Sequence, residues 1–167
     1  DILYYSRNRK PEEEAKYVYI KGNHLRKRWK KLTNNSIFSI CELGFGTGTN
    51  FLSTWEEWIK RTTQDTYLSY FAIEKHPVSL KDLERIYESY PKLKKLSTQL
   101  LSNYPLNCKG WHRINLSKYK ISLTLAFGDI GDTLYNLKKQ KYHLYQLNNK
   151  STSHSFILRP ILRIQST

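Results

Sequence analysis

Within Ile40-Cys41-Glu42-Leu43-Gly44-Phe45-Gly46-Thr47-Gly48-Thr49-Asn50, glycines stand at alternate positions 44, 46 and 48, after an apolar run and before a helical pattern. Glycine lets the backbone adopt positive φ and pass close to a ligand, and the free amides at a helix start face the bound molecule. Strand, glycine turn and helix in that order make a cradle for a nucleotide-type cofactor. A carboxylate at the carboxyl end of the following strand can grip two ribose hydroxyls. Glu74 stands there, after Tyr67-Leu68-Ser69-Tyr70-Phe71-Ala72-Ile73. Asp129, after Ile121 to Phe127 and Gly128, falls at the same edge of the sheet, where it can accept from an adenine amine. Plainer readings stay open, because a glycine loop is often only a turn and an acid after a strand is often only a helix cap.

These residues need a scaffold, and the hydrophobic pattern supplies one. Ile37 to Cys41 reads as a parallel strand buried on both faces. Phe51, Leu52, Trp55, Trp58 and Ile59 recur at helical spacing, with Glu56 four residues before Lys60, which predicts an amphipathic helix over 50–60 with a surface ion pair. Ser79-Leu80-Lys81-Asp82 starts a second helix by capping, with Leu80, Leu83, Ile86, Tyr87 and Tyr90 on one face; Pro91 separates it from a helical stretch over 93–101. Trp111 to Ser117 and Ile121 to Phe127, joined by Lys118-Tyr119-Lys120, read as a hairpin. The alternation of strands and helices indicates an α/β fold. Residues 1–34 read as a basic, tyrosine-rich arm or lid carrying a short strand, Tyr17 to Ile20, and residues 35–147 as the main domain. Tyr142 to Leu147 is the last expected strand, and residues 148–167 are expected to be a tail without assignable structure.

The chain has 167 residues, enough for one domain with a real core, and 28 Lys+Arg against 14 Asp+Glu give a formal charge of +14. Such a balance favours a polyanionic partner, the alternative being a solvated basic face. The excess is uneven: residues 1–33 hold ten Lys/Arg and four acids, and residues 89–128 hold seven Lys/Arg and no acid. Cys41 and Cys108 lack the spacing of a disulfide framework, and the five histidines form no zinc ligand set, so no metal is expected. No apolar run approaches a membrane span and no charged-then-apolar leader opens the chain, which makes a cytoplasmic protein the expectation.

Spacing discriminates between cofactors. A dinucleotide fingerprint needs G-x-G-x-x-G, yet Thr49 stands where its last glycine belongs, which disfavours a nicotinamide-dependent oxidoreductase. The G-x-G-x-G order is that of S-adenosylmethionine-dependent methyltransferases. Asp1-Ile2-Leu3-Tyr4-Tyr5-Ser6, Tyr17 to Leu25, Glu42 to Leu52, Phe71-Ala72-Ile73-Glu74-Lys75-His76-Pro77 and Phe127-Gly128-Asp129-Ile130 occur in order. Together, over residues 1 to about 147, they resemble the methyltransferase half of the MnmC family. The resemblance implies a Rossmann-like class I S-adenosylmethionine-dependent methyltransferase fold. It also implies methyl transfer to the amine of 5-aminomethyl-2-thiouridine at the tRNA wobble position. The implied cofactor-binding set is Glu42, Gly44, Phe45, Gly46, Gly48, Asn50, Glu74, Lys75 and Asp129; FAD belongs to the family's separate oxidase domain, which is expected to be absent here.

One departure matters. Where the family continues with a Phe-Leu-Asp-Gly-Phe motif, the same register gives Gln146-Leu147-Asn148-Asn149-Lys150. Asn148 replaces the aspartate expected beside the reacting amine, and asparagine cannot act as a base. A truncated or frame-shifted copy is therefore expected, its sheet incomplete at the C-terminal end and its last strand unpaired, with a separate chain as one way to complete it. The alternative function is a catalytically inactive remnant or a tRNA-binding module.

Overall fold

The computed structural model describes residues 11–62, 65–139 and 153–157. Its centre is a mixed five-stranded sheet in the order β3-β4-β2-β1-β5, comprising β1 (Ile37–Leu43), β2 (Tyr67–Glu74), β3 (Gly110–Leu116), β4 (Ile121–Phe127) and β5 (Ser153–Ile157). β1, β2, β4 and β5 run parallel, and β3 pairs antiparallel with β4, as the hairpin pattern predicts. α3 (Thr49–Arg61) carries the chain from β1 to β2. From β2 it passes through α4 (Leu80–Glu88), a 3-10 turn (Pro91–Leu93) and α5 (Lys94–Leu101) before the hairpin, and α6 (Ile130–Lys139) follows β4. This is a Rossmann-like α/β arrangement, and its parallel strands end together at one edge.

Local signals account for most of these elements. The Ser79 hydroxyl accepts from the Asp82 amide and caps α4, while Leu83 and Tyr87 bury one face of that helix. Leu80, which falls on the expected apolar face, is exposed. Trp55 and Trp58 of α3 are fully buried against the sheet: Trp58 lies 6.3 Å from Phe38, and the Phe51 ring meets Tyr70 edge-on at 5.0 Å.

Three expectations are corrected. β1 is not buried on both faces: Phe38, Ile40 and Glu42 are buried, but Ile37, Ser39, Cys41 and Leu43 are only half-buried. The core residues of the surrounding helices cluster with Phe38 and Ile40, on the buried face of β1. Tyr17 to Ile20 is not a strand. A short α1 (Pro11–Glu14) runs into a π-helical stretch (Ala15–Lys21), which α2 (Leu25–Trp29) follows. Its buried residues are Ala15, Tyr19 and Ile20, a helical spacing that the sheet-facing core imposes on a β-prone sequence. Finally, the tail beyond residue 148 does contain structure, because β5 adds to β1 with Phe38 opposite Ser153 and Glu42 opposite Ile157. Tyr142 to Leu147 lies outside the described residues.

The N-terminal helices are tied to α3 by charge as well as by apolar packing. Glu57 is buried and accepts from Arg26 at 2.8 Å and Arg61 at 2.7 Å; Glu56 pairs with Lys16 and, as expected, Lys60. Burial pushes the Glu57 carboxyl up, but hydrogen bonds from Arg61 and Arg26 outweigh it and hold the group below its ordinary value of 4.5. A depressed folded-state value means the contribution is complete above the unfolded value and disappears as pH falls through the folded one. Glu57→Gln should therefore cost about 1 kcal/mol at neutral pH and lower the Tm by roughly 2–4 °C. Calorimetry across pH should show that difference shrinking below pH 4.5.

Candidate cofactor site

The ends of β1, β2 and β4 are laced together beyond the strands themselves. The Gly44 amide donates to the Ile73 carbonyl at 2.8 Å, and the Gly128 amide donates to the Glu74 carbonyl at 2.9 Å. Glu74 thus sits between the glycine loop and the segment that carries Asp129. Open parallel sheets bind ligands in the crevice outside such carboxyl ends, where neighbouring connections diverge. Here they diverge at β1, with β2 on one side and β5 on the other.

Gly44, Gly46 and Gly48 adopt φ of 84°, 55° and 68°. A Cβ at Gly44 or Gly46 would meet nothing within 4 Å, so the outer side of the loop is open, whereas a Cβ at Gly48 would fall 2.7 Å from the Phe45 ring. That ring is buried beneath the loop and packs toward Phe51, and the Gly48 amide donates to the Phe45 carbonyl at 2.9 Å. Tyr87 of α4 completes the clasp by donating to the Thr47 carbonyl at 2.6 Å. The loop is held from below and from the side, leaving its upper surface for a ligand.

The Glu74 carboxylate accepts from the Gly46 amide at 2.7 Å through one oxygen and from the His76 amide at 2.8 Å through the other. Each oxygen keeps a lone pair for a ligand hydroxyl. Nearby, the buried Tyr104 hydroxyl has no hydrogen-bond partner among the described residues; burial, and then the Glu74 charge, push it up to about 12. A buried donor left unmatched beside a carboxylate fits a polar ligand completing the site.

Asp129 satisfies the plainer reading as well, because its side chain accepts from the Gly131 amide at 2.8 Å and its carbonyl from the Thr133 amide at the start of α6. Lys75 lies 3.1 Å from its second oxygen, and the carboxylate remains about half exposed. The Lys75 hydrogen bond, then the Gly131 amide, hold its carboxyl below the ordinary range. Glu42 and Asn50 occupy a different place, inside the protein behind the loop, where Asn50 donates to Glu42 at 2.6 Å and Tyr70 donates to the second Glu42 oxygen at 2.8 Å. The Tyr19 hydroxyl is 2.8 Å from that of Tyr70. The sequence reading gives Tyr19, Tyr70, Tyr87 and Tyr104 no site role; Tyr70 shows only as an inward position of an alternating strand and Tyr87 only as part of the α4 apolar face. Asn148 lies outside the described residues, and the described residues include no cluster placed to hold a metal ion and no helix long and apolar enough to cross a membrane.

No family model matches the chain. It is 44% identical over 128 residues to the tRNA 5-methylaminomethyl-2-thiouridine biosynthesis bifunctional protein MnmC of Marinobacter nauticus, covering 75% of this chain and 20% of that protein. The Legionella pneumophila protein of the same name is 38% identical over 132 residues (78% and 20%), and that of Saccharophagus degradans 33% over 153 residues (91% and 21%). The chain therefore spans about a fifth of the length of these curated relatives. Among solved structures, MNMC2 from Aquifex aeolicus superposes with a TM-score of 0.57 at 16% identity, over 79% of this chain and 38% of that one, a likeness of fold.

The two kinds of glycine in the loop should separate experimentally. Gly48→Ala meets both the Phe45 ring and positive φ, whereas Gly46→Ala meets only the latter. Left-handed strain alone costs about 1–2 kcal/mol. Thermal melts should show the larger drop for Gly48→Ala, and equal drops would refute the packing argument.

Proposed function

As the chain belongs to the MnmC family, we propose that it is the cofactor-holding part of a tRNA-modifying methyltransferase that uses S-adenosylmethionine. Its substrate group would be the amine of 5-aminomethyl-2-thiouridine at the wobble position. The observation that carries this reading is the open glycine cradle at three laced strand ends, with Glu74 in the middle and Asp129 at its flank. Bound there, the cofactor would supply an electrophilic methyl group.

What the chain's own residues contribute follows from their positions. Gly44 and Gly46 leave room for close approach to the backbone, and Glu74 offers two oxygens, already aimed by backbone amides, to paired ribose hydroxyls. Asp129, kept ionised by Lys75, can accept from an adenine amine. Exposed lysines of two segments, Lys27, Lys30 and Lys31 before the sheet and Lys92, Lys94 and Lys95 around α5, suit contacts to RNA phosphates, which position rather than specify. A second reading, a module that holds cofactor and tRNA without turnover, is favoured by Asn148, whose amide cannot take a proton from the reacting amine.

Calorimetric titration with S-adenosylmethionine tests the cofactor reading. Saturable binding should appear, and Glu74→Ala should weaken it about 10- to 100-fold, the worth of hydrogen bonds to a charged group, while a cooperative melt persists. A folded protein giving no heat would defeat the proposal. Incubation with tRNA bearing the free amine then separates the two readings: labelled methyl on the tRNA supports turnover, and binding without transfer supports the holding module.

A further inference from the structure

Three glycines in positive φ give the loop little shape of its own, so its geometry depends on what fixes its two ends. On the buried side, a hydrogen bond spans the loop from end to end. Asn50, in the first turn of α3, donates to Glu42, at the end of β1, at 2.6 Å. The acceptor is a carboxylate with no exposed surface, and a charge placed there is costly unless its oxygens are matched. Asn50 serves Oε1, and Tyr70 of β2 serves Oε2 at 2.8 Å.

The direction of the chain of bonds beyond Tyr70 can be deduced. A phenol has one O–H, and Tyr70 gives its own to Glu42. At the 2.8 Å contact between the two phenols, Tyr19 must therefore be the donor. The series Tyr19 to Tyr70 to Glu42 is polarised toward the carboxylate, which strengthens each member. Burial, then the Glu42 charge, push the Tyr70 hydroxyl well above its ordinary value, so it remains a donor across the working pH range. Tyr19 comes from the π-helical stretch, whose geometry turns both Tyr19 and Ile20 inward. A segment remote in sequence thereby reaches the underside of the loop.

We propose that Tyr19 and Tyr70 are positioning residues of the glycine loop, fixing the Glu42 carboxylate in the place from which it clamps Asn50 and joins the two ends of the loop. Neither touches the ligand. The inference rests on reading this loop as the cofactor site, but the clamp itself is a property of the free protein.

Amide hydrogen exchange in the ligand-free protein, followed residue by residue, provides the test. Tyr70→Phe and Tyr19→Phe should each raise exchange at Gly46 and Gly48 about tenfold relative to the β4 amides of Leu123 and Leu125, and should weaken S-adenosylmethionine by a similar factor. Leu100→Ala, a core cavity in α5 that removes none of the hydrogen bonds of the clamp, should raise both sets together. If the tyrosine variants also raise both sets together, or change neither, the positioning role is overturned. Should Tyr70→Phe fail to fold, Tyr19→Phe carries the same comparison, because it leaves the Tyr70 bond to Glu42 in place. Absence of cofactor binding by the unaltered protein would remove the cofactor reading, while the exchange comparison would still decide the clamp.

Discussion

Glu42 holds an ionisable group in the core at the point where β1 gives way to the glycine loop, and the geometry of the site depends on how that group is matched. Asn50 comes from the helix after the loop, Tyr70 from the neighbouring strand and Tyr19 from the N-terminal helices. Satisfying one carboxylate thus brings three otherwise separate elements to a common point beneath the loop. An unmatched charge would cost more than any one of these bonds contributes, so the arrangement holds as a set.

The sheet converts this buried constraint into an open surface. Parallel pairing brings β1, β2 and β4 to a common edge, and the amides of Gly44 and Gly128 extend the lacing one residue past the strands. Glu74 is then oriented by two backbone amides without the help of a flexible side chain. Asp129 caps α6 and pairs with Lys75 while still facing solvent, so its structural role and its proposed ligand role coexist. The distinction between a capping acid and a binding acid, open in the sequence, does not have to be resolved one way.

What could be read from the sequence was local. Alternate glycines after a strand, Glu74 at a strand end, the α3 apolar face, the Ser79 cap and the β3–β4 hairpin each depend on residues within a few positions of one another. Failures came where distant packing decided the outcome. Tyr17 to Ile20 has strand-like composition, but the core takes Ala15, Tyr19 and Ile20 in helical phase. The Tyr19–Tyr70 contact joins residues 51 apart and leaves no trace in spacing. β5, Ser153 to Ile157, lies in a segment of mixed polarity, where pairing with β1 rather than local pattern decides the conformation. Half-exposure of Ile37, Ser39, Cys41 and Leu43 follows from helices stacking on the other face, which a strand's own composition does not encode.

The central claim is that the alternate glycines form the floor of an S-adenosylmethionine site. Seven glycines make a simple spectrum for protein labelled with nitrogen-15 at glycine alone, titrated with S-adenosylhomocysteine. Saturable shifts at Gly44, Gly46, Gly48 and Gly128, with Gly22 and Gly110 unmoved, are the result this account predicts. A spectrum unchanged at millimolar ligand, or shifts confined to Gly22 and Gly110, would contradict it.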